Sequence, residues 1–208
     1  MFLMRNRDLI YLFFVNNFFK EIFRFLFMEK RFTLWLFGYP CAGKTTVAQG
    51  LARIIRASRG YEIAVHDADV VRKGLCSHLK YSKEDRDENL RLNAEVCKIL
   101  NIEARKDVVA TFISPLNSQR KMIERIVGDN FRLIYVDAPP ELCEKRDCKG
   151  MYAKVRRGEI KGFTGVDDLF EVPENSDLVL HTDKESPEDS ARRLYNFYCS
   201  LNGSFNSK

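Results

Sequence analysis

An octet of residues early in the chain has the types and the spacing of a phosphate-binding loop. It fits the pattern G-x-x-x-x-G-K-[ST] at every fixed position. Two glycines allow the backbone to turn tightly, so that successive N–H groups point into an anion-sized hollow. Lys44 can reach the β and γ phosphates of a nucleotide, and the hydroxyl of Thr45 can ligate Mg²⁺. The predicted ATP-binding residues are Gly38, Tyr39, Pro40, Cys41, Ala42, Gly43, Lys44, Thr45 and Thr46.

Two carboxylates, Asp67 and Asp69, follow the apolar run at residues 63–66. Carboxylates at the end of a parallel strand can hold Mg²⁺ through water and accept a proton from an attacking hydroxyl. The alternative is that they cap the helix that follows, a role that Asp69 fits equally well. Because ligands of open α/β sheets bind beyond the carboxyl ends of the strands, we favour the catalytic interpretation.

Basic and amide side chains come next along the chain. Arg72 and Arg86 each offer a two-pronged donor to sulfate or phosphate, and Asn89 can hydrogen-bond to a base or a ribose. Ser114 ends a further apolar run and is expected near the phosphates, although a turn residue before Pro115 would look the same. Each of these residues, taken alone, is typical of an ordinary surface. Together they indicate a second, acceptor-binding side of the site.

Five apolar runs alternate with amphipathic segments over the rest of the chain. The predicted strands are residues 32–37, 63–66, 108–113, 133–136 and 178–181. The predicted helices are residues 44–57, 87–103, 118–127, 140–146 and 188–201. Such alternation is typical of βαβ units, which build a parallel sheet covered by helices on both faces. The sequence therefore predicts an α/β fold with a five-stranded parallel sheet.

Residues of about 145–165 differ from the rest because they are rich in lysine and arginine and show little apolar periodicity. A run of charge is usually a solvated face. In a nucleotide kinase, however, a basic flap at this place is expected to close over phosphates. We predict a P-loop kinase domain over residues 28–208 with this segment as its basic lid.

Composition limits the classes of function. The chain has 208 residues, with 34 Lys+Arg against 29 Asp+Glu and a net charge of +5. This size predicts one domain, and the charge is too small for a nucleic-acid arm, so an anionic small molecule is the expected partner. The six cysteines form no C-x-x-C pair and the three histidines lie far apart, which argues against a zinc site. A reduced, cytoplasmic protein is expected.

The first 27 residues have a composition of their own and hold half of the 16 phenylalanines. Their longest uncharged stretch, residues 9–19, is shorter than the roughly 20 apolar residues of a membrane-spanning helix. No small-residue cleavage site follows, as a secretory signal would require. Two interpretations stay open. Residues 1–27 form an amphipathic helix on a membrane or a partner subunit, or Met28 is the natural start and the extension is no part of the natural product.

Four segments, in order, resemble the adenylyl-sulfate (APS) kinase family, whose members are P-loop kinases that phosphorylate the 3′-hydroxyl of APS. Residues 85–89 are similar to the family's D-R-x-E-N, and residues 112–115 match F-I-S-P. Residues 146–152 resemble R-D-x-K-G-L-Y, and residues 158–167 follow G-E-I-K-G-F-T-G-I-D closely. The resemblance covers about residues 31–185.

The resemblance implies roles for individual residues. Asp67 would be the base or the carboxylate that organises the metal, with Lys44 and Ser114 as further catalytic groups and Thr45 as the second metal-site residue. Ser114 stands where the family has a serine described as phosphorylated. We expect Ser114 to act as a positioning group, because direct in-line transfer to the hydroxyl needs no covalent intermediate. Arg146 would bind ATP, Tyr81 and Phe163 would sandwich the acceptor base, and a homodimer is expected. The acceptor-binding residues implied are Asp69, Arg72, Tyr81, Arg86, Asn89, Ile113, Ser114, Lys149, Gly162 and Phe163.

The chain departs from the family pattern mainly on the acceptor side. The family's D-G-D-N is D-A-D-V at residues 67–70, its G-F-S is K-Y-S at residues 80–82, and the second arginine of its N-x-R-R is Leu92. Residues 116–117 also differ. These changes leave a second acceptor open: a related nucleotide, such as cytidine diphosphoramidate of capsule biosynthesis, phosphorylated on the same hydroxyl. A non-catalytic nucleotide-binding module is disfavoured, since Lys44, Thr45 and Asp67 are all present.

Overall fold

The computed structural model describes residues 30–201 and contains one five-stranded sheet in that range. All neighbouring strands are parallel, in the order β2-β3-β1-β4-β5. The predicted α/β class and five-stranded parallel sheet are therefore confirmed. The strands are β1 (Thr33–Phe37), β2 (Ala64–Asp67), β3 (Val108–Thr111), β4 (Phe131–Asp137) and β5 (Leu178–His181).

Helices follow the strands and cover both faces of the sheet. They are α1 (Lys44–Arg59), α2 (Ala68–Val71), α3 (Lys83–Ile102), α4 (Asn117–Val127), α5 (Pro140–Arg146), α6 (Met151–Arg156) and α7 (Pro187–Leu201). A short 3₁₀ turn, Gly128–Asn130, joins α4 to β4. Residues of α1 and α7 belong to the apolar core on one face, and residues of α3 and α4 to the core on the other.

The central strand β1 shows why the sheet needs two covers. Its side chains alternate, with Leu34 and Leu36 in one core and Trp35 and Phe37 in the other, and all four are fully buried. Successive side chains of a strand point to opposite faces, so an unbroken apolar run is stable only between two layers of helices. This packing fixes the carboxyl end of β1, from which the phosphate-loop octet continues.

Local hydrogen bonds explain two of the differences from the predicted helices. Helix α3 begins at Lys83 rather than at residue 87, since the hydroxyl of Ser82 accepts a hydrogen bond from the backbone N–H of Asp85 at 3.1 Å. The lid segment contains the unpredicted helix α6, whose first turn is capped by Asp147: its carboxylate accepts from the N–H groups of Tyr152 and Ala153, both at 3.0 Å.

The two interpretations of residues 1–27 concern a segment that lies outside the described residues. Within residues 30–201, no helix combines the length and the apolar character that a membrane crossing requires.

Candidate active site

The octet forms a loop between β1 and α1, and close packing fixes its start. Gly38 has φ 146°, and a side-chain Cβ there would lie 2.3 Å from the carbonyl oxygen of Val136. Glycine is therefore required at this position. The backbone N–H of Gly38 donates to the carbonyl of Ile113 at 3.3 Å, which ties the loop to the end of β3. Ile113 thus contributes its backbone to the geometry of the loop.

Lys44 lies inside the loop, where its ammonium donates to the carbonyl oxygens of Gly38 at 2.9 Å and Tyr39 at 2.7 Å. Although part of the residue surface is exposed, the ammonium itself is enclosed by the loop. Burial lowers the pKa of Lys44 to about 8, and the charge of Lys149 acts in the same direction. A phosphate bound in this hollow would compensate the positive charge of the Lys44 ammonium.

Asp67 ends β2, and three donors hold its carboxylate. Oδ2 accepts from the hydroxyls of Thr45 at 2.8 Å and Thr111 at 2.7 Å, and Oδ1 accepts from the N–H of Asp69 at 2.9 Å. Burial alone raises the pKa of Asp67, but the hydrogen bonds from Thr111, Thr45 and Asp69 outweigh it and lower the pKa. The carboxylate is therefore ionised and has a fixed orientation.

Thr111 was not predicted as a functional residue, although a signal for it exists. It pairs with Asp67 in the parallel register of β2 and β3, and it ends β3 as Asp67 ends β2. Polar residues at the ends of adjacent parallel strands meet at one edge of the sheet. The order of the strands, which the sequence alone leaves open, makes these two residues neighbours.

The oxygen atoms of Thr45 and Asp67 fit a magnesium site. The hydroxyl and the carboxylate are 2.8 Å apart at the mouth of the loop. Mg²⁺ commonly uses one or two carboxylates together with substrate phosphates and water rather than a cage of protein ligands. Within residues 30–201, no group of three or more His, Cys, Asp or Glu residues is placed to hold a metal ion.

Arg146, which is predicted to bind ATP, lies at the outer edge of the loop. Its guanidinium donates to the carbonyl of Thr182 at 2.6 Å and to the carbonyl of Cys41 at 3.4 Å. Thr182, which sequence reasoning missed, donates its hydroxyl to the carbonyl of Ala42 at 2.7 Å. These bonds join the loop to the end of α5 and to the residue after β5. Cys41 has φ 62°, an uncommon conformation for a residue other than glycine.

The side chain of Tyr39 and the backbone of Pro40 contact the lid and its flank rather than the phosphate hollow. The ring of Tyr39 stacks on Phe170 with centroids 4.2 Å apart, and the hydroxyl of Tyr152 donates to the carbonyl of Pro40 at 3.2 Å. A side chain at Gly165 would come within 2.8 Å of the Tyr39 ring. The loop and the lid are therefore packed together in this conformation. Thr46 is exposed on the first turn of α1.

The charged acceptor-side residues pair with one another. Arg86 forms an ion pair with Asp168, and Lys149 with Asp69. Burial alone lowers the pKa of Lys149, but the hydrogen bond and charge of Asp69 outweigh it and raise the pKa. These cations are thus neutralised by carboxylates of the chain in the unliganded protein.

The predicted aromatic platform has two separate parts. Tyr81 is 65% exposed, with the guanidinium of Arg72 4.7 Å from its ring centroid. Phe163 packs edge-on against Tyr152 at 5.0 Å. The carboxylate of Asp167 holds the turn before this ring, accepting from the N–H groups of Gly162 at 2.8 Å and Phe163 at 2.6 Å. Each ring therefore has its own support from the protein.

Ser114 lies shortly after the end of β3, but its hydroxyl points into the core. The residue is 1% exposed, and Oγ accepts a hydrogen bond from the indole N–H of Trp35 at 2.9 Å. Arg120 donates to its carbonyl at 2.8 Å, and φ is 44°. In this structure the hydroxyl does not face the open site. The predicted strand reaches residue 113, whereas β3 ends at Thr111, and the sequence does not show the partner of Ser114, 79 residues away.

Asn89 lies on the buried face of α3 and is 4% exposed. The amide of Asn93, one turn later, donates to its carbonyl and to its side-chain Oδ1. His66, which precedes Asp67, contacts Asn93 in turn. Asn89 is therefore linked to the end of β2 through a second buried asparagine that was not predicted.

A phosphate loop after the central strand, with a carboxylate and a hydroxyl in contact beside it, defines a P-loop phosphotransferase. Residues 30–181 match the family model described as adenylylsulphate kinase. The chain belongs to the adenylylsulphate kinase family, as the resemblance of its motifs indicated.

Relatives and solved structures agree with this assignment. The chain is 44% identical over 171 residues to the adenylyl-sulfate kinase of Halothermothrix orenii, covering 81% of this chain and 90% of that protein. It is 46% identical over 162 residues to that of Phocaeicola vulgatus, covering 77% and 78% of the two chains. The structure of the Mycobacterium tuberculosis APS kinase in complex with AMPPNP and APS has a TM-score of 0.77 at 34% identity and covers 81% of this chain and 98% of that one.

Proposed function

We propose that the protein is an ATP-dependent kinase that transfers the γ-phosphoryl group of ATP to the ribose 3′-hydroxyl of adenylyl sulfate. The 3′-oxygen forms a bond to the γ-phosphorus while the bond from that phosphorus to the β–γ bridging oxygen breaks. The products are 3′-phosphoadenylyl sulfate, ADP and the proton of the hydroxyl. The contact of Asp67 with Thr45 at the mouth of the phosphate loop carries the proposal, because it places a carboxylate where donor and acceptor must meet.

Asp67 orients the attacking hydroxyl and does not act as the general base that takes up its proton. Its lowered pKa makes it a weak base, and both its oxygens already accept hydrogen bonds from the protein. Transfer of a phosphoryl group passes through a loose transition state, in which positioning and electrostatic stabilisation supply most of the catalysis. A fixed, ionised carboxylate meets both needs, and the proton passes on to water as the phosphoryl group arrives.

On the donor side, Lys44 and the loop N–H groups bind the β and γ phosphates, and Arg146 closes the outer edge of the nucleotide site. Mg²⁺ bound between the phosphates and the Thr45–Asp67 pair would neutralise the charge that develops on the phosphoryl oxygens. Thr45 and Asp67 already face one another, so the ligand set requires little rearrangement.

On the acceptor side, binding exchanges ion-pair partners. Arg72, Arg86 and Lys149 are the cations available for the sulfate and phosphate oxygens of adenylyl sulfate. Arg86 and Lys149 must then leave or share the carboxylates that they contact in the unliganded protein. Tyr81 and Phe163 are proposed to bind the base between them, and this requires Arg72 to move off the ring of Tyr81. We assign Ser114 a positioning role through its backbone, since its hydroxyl is bound to Trp35.

The location and the assembly are further parts of this proposal. All six cysteines are free thiols, which supports a reducing, cytoplasmic environment. We propose a homodimer as the working assembly, whereas a related APS kinase from Thiobacillus denitrificans, 22% identical with a TM-score of 0.61, is described as hexameric. Light scattering on the purified full-length chain measures the mass directly and distinguishes a dimer from a monomer or a hexamer.

An acceptor screen tests the proposed reaction. Purified protein is supplied with ATP and Mg²⁺, and ADP production is followed with adenylyl sulfate, cytidine diphosphoramidate or no acceptor; the Lys44→Ala variant serves as the matched control. Of the three acceptor conditions, only the one with adenylyl sulfate is expected to give turnover. The related proteins give no support for the cytidine compound as acceptor. Absence of turnover with millimolar adenylyl sulfate, while cytidine diphosphoramidate is consumed, would overturn the proposed acceptor.

A further inference from the structure

A buried polar pair, His66 and Asn93, connects the end of β2 to the acceptor side. Asn93 is 0% exposed on α3, among residues of an otherwise apolar core. Its Oδ1 lies 2.7 Å from Nε2 of His66. Its Nδ2 contacts the carbonyl and Oδ1 of Asn89, the latter at 3.3 Å, and the sulfur of Cys76 at 3.6 Å. A buried amide that finds partners for both ends has only one stable orientation.

The chemistry of the partners fixes that orientation. The backbone carbonyl of Asn89 can only accept, so the NH₂ group of Asn93 must face it. Oδ1 of Asn93 then faces His66, and Nε2 of His66 must carry the proton of this hydrogen bond.

The orientation of the Asn93 amide determines that of the Asn89 amide. Because its Oδ1 accepts from Asn93, its own NH₂ group points to the other side. Among the described residues, this NH₂ group has no protein partner. In the same range, every fully buried side-chain nitrogen or oxygen atom does have a hydrogen-bond partner. The NH₂ group of Asn89 therefore keeps contact with solvent.

We infer that Asn93, held by His66, is a positioning residue that presents the NH₂ group of Asn89 to the acceptor nucleotide. The site accordingly recognises a hydrogen-bond acceptor at this point, such as a ring nitrogen or an oxygen of the nucleotide. In the alternative orientation, the NH₂ group of Asn89 would face the NH₂ group of Asn93. Asn93 therefore excludes that orientation. This inference rests on the proposed function for the identity of the acceptor.

The paired variant His66→Leu/Asn93→Leu tests the role by removing both partners of the His66–Asn93 hydrogen bond, so that neither is left unpaired. Replacing both partners of a hydrogen bond by apolar groups of similar size is tolerated far better than removing one partner. With adenylyl sulfate as acceptor, KM for adenylyl sulfate is expected to rise about three- to tenfold, the usual contribution of one hydrogen bond. KM for ATP should stay the same.

A double-mutant cycle separates this role from general destabilisation. If Asn93 acts through Asn89, the paired change adds nothing to KM for adenylyl sulfate in an Asn89→Ala background. Asn101→Ala is the matched control, because Asn101 is also a buried asparagine of α3 but bonds to Thr33 and Phe32 at the far end of the helix. It should lower stability and leave KM for adenylyl sulfate unchanged. A paired variant that behaves like this control would overturn the inference.

A second measurement does not depend on turnover. In NMR spectra of the wild type without ligands, we expect the His66 ring to carry a proton on Nε2 and the Asn89 NH₂ protons to show contacts to only one side. In the paired variant, these contacts should indicate both orientations of Asn89. A single, unchanged orientation in the variant would contradict the inference even if the acceptor proved to be another nucleotide. Absence of turnover by the wild type with adenylyl sulfate would instead count against the proposed function.

Discussion

The donor and acceptor sides of the site are built in different ways. On the donor side, one contiguous loop supplies nearly all groups, and Asp67 already accepts hydrogen bonds from the hydroxyls of Thr45 and Thr111. On the acceptor side, the groups come from α3, the lid and the residues around α2. There the cations Arg86 and Lys149 are bound to carboxylates of the chain.

This difference indicates how binding energy is divided. The donor hollow exists before the nucleotide arrives, and the enclosed ammonium of Lys44 is the group that gains most from an anion. The acceptor side must break ion pairs before it can bind sulfate or phosphate. Partly exposed ion pairs are worth only about 0–1 kcal/mol, so they are easily exchanged. The donor side is thus preorganised, and we expect the acceptor side to reorganise on binding.

The largest effect is expected at Asp67. Asp67→Ala removes a preorganised group at the reacting oxygen and should lower kcat about 10²- to 10³-fold, while ATP still binds. Asp69→Ala, two residues away and paired with Lys149, is the matched control and should act mainly on KM for adenylyl sulfate. Steady-state kinetics and calorimetric titration with ATP measure both. Activity of Asp67→Ala within threefold of the wild type would refute the role given to this carboxylate.

A smaller and one-sided effect is expected at Arg86. Arg86→Ala removes a charge-assisted donor and should raise KM for adenylyl sulfate about 10- to 30-fold. KM for ATP should change little if the two sides are independent. Arg91→Ala is the control on the same helix, since Arg91 is partly exposed and its ion pairs within residues 30–201 are with its neighbours Glu88 and Glu95. Equal rises in both KM values would show that the two sides are coupled.

The smallest effect is a difference in pH dependence between the two sides. Lysine in an unfolded chain keeps its proton to about pH 10.4. Burial lowers the pKa of Lys44 to about 8 in the folded protein, so the buried charge destabilises the fold at neutral pH and this cost falls as the pH rises through 8. If nucleotide binding needs the ammonium, affinity for ATP should fall about tenfold between pH 7 and pH 9.

On the acceptor side no such fall is expected over the same range, because the pKa of Lys149 is raised. Titration calorimetry with Mg²⁺–AMPPNP and, separately, with adenylyl sulfate measures both affinities. The Lys44→Ala variant should bind the nucleotide more weakly and lose the pH dependence. An ATP-analogue affinity that is flat from pH 7 to pH 9 in the wild type would contradict the state assigned to Lys44.

The sequence predicted what is encoded locally. The octet is a contiguous segment whose own backbone forms the loop, so its pattern predicts both the loop and the place of Lys44 in it. Asp67 was found because it ends an apolar run. Thr111, Thr182 and Asn93 were missed because strand register or tertiary packing makes each a neighbour of the site.

Ser114 also shows that tertiary contacts cannot be predicted from the local sequence. It lies at the predicted strand end, and only the packing of Trp35 turns its hydroxyl inward. The lid was predicted from its charge, but its helix α6 depends on the carboxylate of Asp147, a capping contact that periodicity does not reveal.

A crystal structure of the protein with AMPPNP, Mg²⁺ and adenylyl sulfate tests the central claim most directly. We predict that a carboxylate oxygen of Asp67 lies within about 4 Å of the 3′-oxygen or of the metal, the reach of a direct contact or one close water. In the same structure, Thr45 should ligate the metal. An Asp67 carboxylate that remains beyond about 6 Å from both, with all three ligands bound and the lid packed on the loop, would contradict the account.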